Sequence, residues 1–221
     1  MAADQQLDPF LDQRQSMVAL QLRRRGIHDE RVLRAMERVP RHEFISPQFF
    51  GRAYSDDPVP IGEGQTVSQP YIVASMLESL QIAPEHRVLE IGTGTGYEAA
   101  LLAELAREVV TIERHERLAE SARHNLIRLG YRNVNVIQGD GTKGWTATSP
   151  YDRIIVAAAA PHVPPPLFEQ LVENGKLIVP VGSTEVQELL LVEKRGGHPR
   201  TSRLEGCRFV PLIGAEGFTP Y

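Results

Sequence analysis

Apolar and polar positions along this chain follow two different periods, and the change of period divides it. Over 12–25 and 28–38 the apolar residues fall at helical spacing, with Val18 and Leu22 in the first run and Val32, Ala35 and Met36 in the second. Gly26 separates the two predicted helices and Pro40 ends the second. From 41 to 67 the pattern is irregular, rich in Pro, Gly and aromatic residues, and too long for an idle connection in a compact domain. Ser68-Gln69-Pro70 then reads as a helix start, with Ser68 as N-cap and Pro70 early in the first turn. That helix runs to about Leu80.

Beyond Pro84 short apolar runs alternate with helical ones. Strands are expected at 87–91, 108–112, 134–138, 153–157 and 175–181, and helices at 97–106, 116–129 and near Leu167–Glu173. Two further strand-like runs, Gln187–Lys194 and Arg203–Val210, are split by GGHPR at 196–200. This alternation predicts an α/β fold: a doubly wound, Rossmann-like parallel sheet with an antiparallel C-terminal part and an N-terminal helical and loop addition. One domain is expected over 1–221, made of helices and a loop (1–84), a core (85–182) and C-terminal strands (183–221).

The chemistry gathers where the first core strand stops. Val88, Leu89 and Ile91 give way to Gly92, Gly94 and Gly96, and a helical run follows, with Ala99, Leu102, Ala103 and Ala106 on one face. Glycines at such a turn let a ligand approach the backbone, and the helix start offers free N–H groups. Glu113 ends the next strand, 21 residues after Gly92, where a carboxylate can accept hydrogen bonds from a ribose diol. A dinucleotide fingerprint fails, because Tyr97 holds the position of its last glycine, and a phosphate-binding Gly-Lys-Ser/Thr loop lacks its lysine. The spacing Gly92-Thr93-Gly94-Thr95-Gly96 after Glu90 instead resembles class I methyltransferases that use S-adenosylmethionine. In that family an acidic residue at the end of the third strand takes the adenine amino group, and here Asp140 and Gly141 stand there. The expected cofactor residues are therefore Glu90, Gly92, Thr93, Gly94, Gly96, Glu113, Asp140 and Gly141.

Composition narrows the partners. Of 221 residues 42 % are hydrophobic, and the net charge of −4 offers no clustered positive surface for nucleic acid. Arg23–Arg25 reads as a solvated helix end. No run reaches the roughly 18 apolar residues of a membrane span. Acidic and glutamine positions precede the first apolar run, so no secretory leader is expected, and Cys207 stands alone, so no intrachain disulfide is possible. A cytoplasmic location follows as an expectation. His162 has no second ligand at metal spacing, so no metal is expected, and nothing fixes an oligomeric state.

The acceptor is read from what remains polar. Residues 156–161 read Val-Ala-Ala-Ala-Ala-Pro, without the amide or carboxylate that amine methylation uses and without an oxygen cluster for Mg²⁺. The polar element is the loop Gly64-Gln65-Thr66-Val67-Ser68-Gln69-Pro70. Here the chain closely resembles the protein-L-isoaspartate O-methyltransferases. The likeness is carried by AYSDDPVPIGEGQTVSQPYIVASM (53–76), VLEIGTGTGYEAALLAEL (88–105), the QGDG turn (138–141), YDRIIVAAAAPHVPPPLFEQL (151–171) and RFVPLIG (208–214), with TVSQP and RFVPLIG the most specific. Glu98 and His162 depart from it at positions variable in the family.

The resemblance implies transfer of a methyl group to the free carboxylate of L-isoaspartyl residues of damaged proteins; whether D-aspartyl residues are accepted too stays open. It makes Ser68 the active-site residue and assigns the peptide to Gly64, Thr66, Val67, Ser68, Val210, Pro211 and Leu212. The methyl ester then collapses unaided to a succinimide. The chemistry agrees: a carboxylate is already ionised near neutral pH and needs no general base. Ser68 would orient it, a proximity effect, and not act as a nucleophile. Two other readings share the cofactor site, a small-molecule carboxyl or hydroxyl O-methyltransferase and a catalytically silent binding module.

Overall fold

A computed structural model describes residues 8–219; residues 1–7 and 220–221, counted above in the single domain, lie outside the described residues. In chain order the elements are α1 (Leu11–Ser16), α2 (Glu30–Arg38), β1 (Val59–Gly62), β2 (Gln65–Val67), α3 (Pro70–Leu80), β3 (Arg87–Ile91), α4 (Tyr97–Leu105), β4 (Glu108–Glu113), α5 (Glu116–Arg128), β5 (Val134–Gln138), β6 (Tyr151–Val156), α6 (Pro165–Glu169), β7 (Leu171–Gly182), β8 (Gln187–Arg195) and β9 (His198–Cys207).

Seven strands form one sheet in the order β5-β4-β3-β6-β7-β8-β9. Strands β5 to β7 run parallel, and β8 and β9 close the edge antiparallel. Alternate residues of the parallel strands enter different cores. Val88, Val109, Ile155 and Ile178 pack with α3, α4 and α5, while Leu89, Val110, Ile154 and Leu177 pack with Leu167 of α6 and with Leu212. Helices on both faces make the sheet doubly wound, and the chain reverses direction across it beside β3. Ligands of such sheets bind at the carboxyl ends of the strands at that reversal.

Four elements differ from the sequence reading, each for a local reason. Residues 12–25 turn as a short α-helix, a π-helical turn (Met17–Leu22) and a 3₁₀ turn (Arg23–Arg25), which ends at Gly26 in the left-handed region. The irregular 41–67 segment holds the hairpin β1–β2, whose three- and four-residue strands are too short to show a period. The helix expected to reach Glu173 stops at Glu169, because Leu171 already pairs with Tyr151 and the chain then bulges before Lys176 pairs with Arg153. Strand β9 begins at His198, since Gly196 and Gly197, both at positive φ, complete a two-residue turn by themselves. Pro199 is tolerated there because β9 is an edge strand.

Ser68 is not a helix cap. Gln69 occupies that position and its side chain makes no cap bond. Asp56 caps α3 from the preceding loop instead, accepting from Tyr71 N–H at 2.9 Å and from Gln69 Nε2 at 2.7 Å. The same carboxylate pairs with Arg25, whose guanidinium lies 3.6 Å from the Tyr71 ring centre. Arg25 is thus anchored, not merely solvated.

Candidate active site

A cleft of about 820 Å³ opens at the carboxyl ends of β3, β4 and β6. Its floor is the turn from β3 into α4, where Gly92, Gly94 and Gly96 all take positive φ. A side chain at Gly94 would also press within 3.0 Å of Ile61 Cδ1, so the β1–β2 hairpin lies directly over the loop. The hairpin tip reaches α5 as well: Glu63 lies 3.8 Å from His115 and 3.7 Å from Arg117.

Of the residues marked for the cofactor, Gly92, Thr93, Gly94, Glu113 and Gly141 line the cleft. Glu113 is 4 % exposed; its Oε2 accepts from Gly94 N–H and its Oε1 from His115 N–H, both at 2.9 Å. These bonds hold the carboxylate against the glycine loop, with lone pairs left for hydroxyl donors. Glu90, Gly96 and Asp140 stand behind the wall. Glu90 is fully buried in a chain of oxygens, with Thr111 Oγ1 lying 2.5 Å from both Glu90 Oε2 and Thr93 Oγ1. Gly96 faces Leu126 and Ala122 of α5, and Gly141 is small because a Cβ there would meet Ile91 Cγ2 at 2.5 Å.

Asp140 is bonded within its own loop and to the C-terminal segment. Its Oδ1 accepts from Thr142 N–H and Thr142 Oγ1, and its Oδ2 from Ala215 N–H at 2.9 Å. Thr142 Oγ1 in turn accepts from Glu216 N–H. This turn therefore clamps the C-terminal segment across the cleft. Trp145 packs beside it against the second core and does not line the cleft.

The acceptor residues converge from two directions. Thr66, Val67 and Ser68 enter from the hairpin, and Val210, Pro211 and Leu212 from the C-terminal segment. That segment has left β9 and is pinned to the chain after β6: Ala159 N–H donates to Val210 O at 2.8 Å and Leu212 N–H to Ala159 O at 2.7 Å. Gly64 sits at the exposed hairpin turn, outside the cleft lining. Fully buried Arg41 supports the Val67 side, donating from Nε to Ala53 O at 2.9 Å and from Nη2 to Val67 O at 3.5 Å. Thr66, Ser68, Ala157 and Val210 also line a second depression of about 700 Å³ outside the cleft, with Arg25, Tyr71, Glu205 and Arg208 around it.

The profile of the family described as protein-L-isoaspartate(D-aspartate) O-methyltransferase matches residues 13–217. The chain belongs to this family. A protein-L-isoaspartate O-methyltransferase of Koribacter versatilis is 54 % identical over 220 residues, covering 100 % of this chain and 99 % of that one. One of Methanoregula boonei is 55 % identical over 210 residues, covering 95 % and 97 %. Among solved structures, a protein-L-isoaspartate O-methyltransferase superposes with a TM-score of 0.84 at 32 % identity, over 92 % of this chain and 67 % of that one. A Plasmodium falciparum protein described as a putative member, in complex with S-adenosyl-L-homocysteine, gives 0.78 at 28 % identity over 90 % and 98 %. Membership makes this chain an S-adenosylmethionine-dependent methyltransferase.

The cleft suits that cofactor on its own terms. Glu113 offers a buried carboxylate to a diol, and Ile91, Ile112, Leu212 and Ile213 offer apolar surface to a flat base. Among the lining residues that sequence reasoning missed are Ile61, Tyr97, Glu98, Arg114, His115 and Ile213. Only Tyr97 and Glu98, in the first helical turn after the glycine loop, carried a positional signal.

Proposed function

We propose that this enzyme methylates the free α-carboxylate of L-isoaspartyl residues, and the carboxylate of D-aspartyl residues, in damaged proteins. The observation that carries the reading is the shared wall: Ser68, Thr66, Ala157 and Val210 face both the cofactor cleft and the outer depression. A peptide lying outside can present one carboxylate through this opening. S-adenosylmethionine supplies a methyl group on a sulfonium centre.

Ser68, half-buried at the opening, donates its hydroxyl hydrogen to one carboxylate oxygen and directs the other toward the methyl group. No base is required, because the acceptor arrives ionised. Cation and anion neutralise each other as they react, so excluding water favours the step, and the hairpin over Gly94 covers the loop. Backbone groups of 66–68 and 210–212 hold the peptide and set its register. In that register a normal aspartate holds its carboxylate one methylene away. A misplacement near 1 Å costs on the order of 100-fold in rate. We also place the reaction in the cytoplasm, where the free Cys207 stays reduced.

Paired hexapeptides that differ only in an isoaspartyl or aspartyl linkage, offered with labelled S-adenosylmethionine, test this. Strong preference for the isoaspartyl member is expected. Equal labelling of both, or labelling of free small acids alone, would replace the repair reading with a small-molecule carboxyl methyltransferase.

A further inference from the structure

Glu98 is an acid in the cofactor wall with nothing to bind. It sits in the first turn of α4, is 7 % exposed and lines the cleft. Its buried Oε1 accepts no hydrogen bond from any described residue. The other nearby carboxylates are engaged or screened. Glu113 accepts two backbone N–H groups, and Glu90, bonded through Oε2 to Thr111 but likewise without a donor at Oε1, does not reach the cleft.

The sheet order gives Glu98 its place along the cofactor. Gly141 follows β5, Glu113 ends β4, Gly92 and α4 follow β3, and Ala157 follows β6, so these lining residues succeed one another across neighbouring strands. With the base toward Gly141 and the ribose at Glu113, the aminoacyl end falls at Gly92 and Glu98, near the opening at Ser68 and Ala157. That end carries one ammonium and one carboxylate. Backbone N–H groups of the glycine loop suit the carboxylate; a charged acceptor gives the ammonium the stronger bond.

We propose that Glu98 recognises the α-ammonium of the cofactor's aminoacyl group and releases a proton to solvent when it does so. Burial explains the release. Glu90 on β3 and Tyr97 on its own helix lie within electrostatic reach of it, and Glu113, Arg114 and His115 share the cleft wall. No neighbouring cation stabilises its charged form, and burial pushes Glu98 up to about 8. Glu90 is raised too, by burial and then by the Glu98 charge. Near neutral pH the free enzyme therefore keeps Glu98 protonated. An arriving ammonium supplies the missing counter-charge and makes the ionised form the stable one.

The proposal rests on the methyltransferase reading of the cleft and is tested without turnover. S-Adenosylhomocysteine and 5′-methylthioadenosine are both neutral thioethers; only the first carries the aminoacyl group. Calorimetry at pH 7 in buffers of different ionisation enthalpy counts the protons exchanged. Wild type should release about one proton per S-adenosylhomocysteine and none with methylthioadenosine. Glu98→Gln should bind S-adenosylhomocysteine about tenfold or more weakly, without release, and methylthioadenosine within about twofold of wild type. Equal losses for both ligands, unchanged affinity for S-adenosylhomocysteine, or release that persists in the variant would overturn the assignment. The wild-type proton count stands even if the variant fails to fold, and its absence overturns the proposal equally. Wild type that binds neither ligand would instead strike the cofactor reading itself.

Discussion

The two ends of the cleft treat a carboxylate in opposite ways. At the β5 end, burial works against the charge of Asp140, but bonds from the Thr142 hydroxyl, Ala215 N–H and Thr142 N–H, with Lys143 nearby, outweigh it and hold the carboxyl below its ordinary value. At the α4 end, burial acts on Glu98 unopposed. The difference separates structure from readiness. A carboxylate whose acceptors are filled by its own chain fixes a shape, here the clamp on 214–216. One buried without donors destabilises its charged form until a ligand brings the counter-charge.

The largest way to test the contrast is to remove the Glu98 charge. Its folded-state value, about 8, lies above the ordinary 4.5. Such a group contributes stability that is fully present below about 4.5 and lost as pH rises through about 8. Glu98→Gln escapes that loss. Without cofactor, the variant should match wild type within about 1 kcal/mol at pH 5 and exceed it by about 3–5 kcal/mol at pH 9. Denaturant titrations at the two values measure this; a gap that does not widen with pH breaks the comparison. Asp140→Ala should go the other way, losing about 2 kcal/mol at pH 7 as the turn and the Ala215 anchor lose their acceptor. An unchanged melting temperature with weakened cofactor binding would make Asp140 a ligand for the base and not a clamp.

How much of this contrast the sequence carried depends on the reach of each interaction. Strands β3 and β5 and the start of α5 are legible to the residue, because each is a local pattern bounded by Gly, Pro or a change of period. The helical face expected of α4 was misleading: α2 covers its outer side, so Tyr97, Ala100 and Leu101 are buried as fully as Leu102. Tertiary covering of this kind leaves no trace in a period. The roles of Asp56, Asp140 and Arg41 were hidden for the same reason, since their partners lie 15, 75 and 26 residues away. Glu98 was visible as a departure within the first helical turn, but its burial was not.

Between the two ends lies a neutral group, and it should behave like neither. Ser68 caps nothing and carries no charge, so Ser68→Ala should leave stability nearly unaltered. It should lose one hydrogen bond to an ionised acceptor, about 1.5–3 kcal/mol, or roughly 10- to 150-fold in kcat/KM for an isoaspartyl peptide. Cofactor affinity should hardly change. Full activity with a lowered melting temperature would mean that Ser68 supports the loop and does not touch the acceptor.

Glu113 combines both behaviours, which makes it the finest test. Like Asp140 it accepts two backbone N–H groups, and like Glu98 it lines the cleft. If its remaining lone pairs take the ribose hydroxyls, Glu113→Gln should weaken S-adenosylmethionine by about tenfold, one charged bond's worth. The amide oxygen can still accept from one backbone N–H, so the loss of stability should stay near 1 kcal/mol. Adenine alone, which has no ribose, should bind the variant as it binds wild type. Calorimetry on the three ligands S-adenosylmethionine, methylthioadenosine and adenine separates the cases. Loss confined to the two ribosides assigns Glu113 to the diol. A parallel loss of adenine binding would mean that the variant has loosened the Gly94 loop, and Glu113 would then be a carboxylate that holds shape.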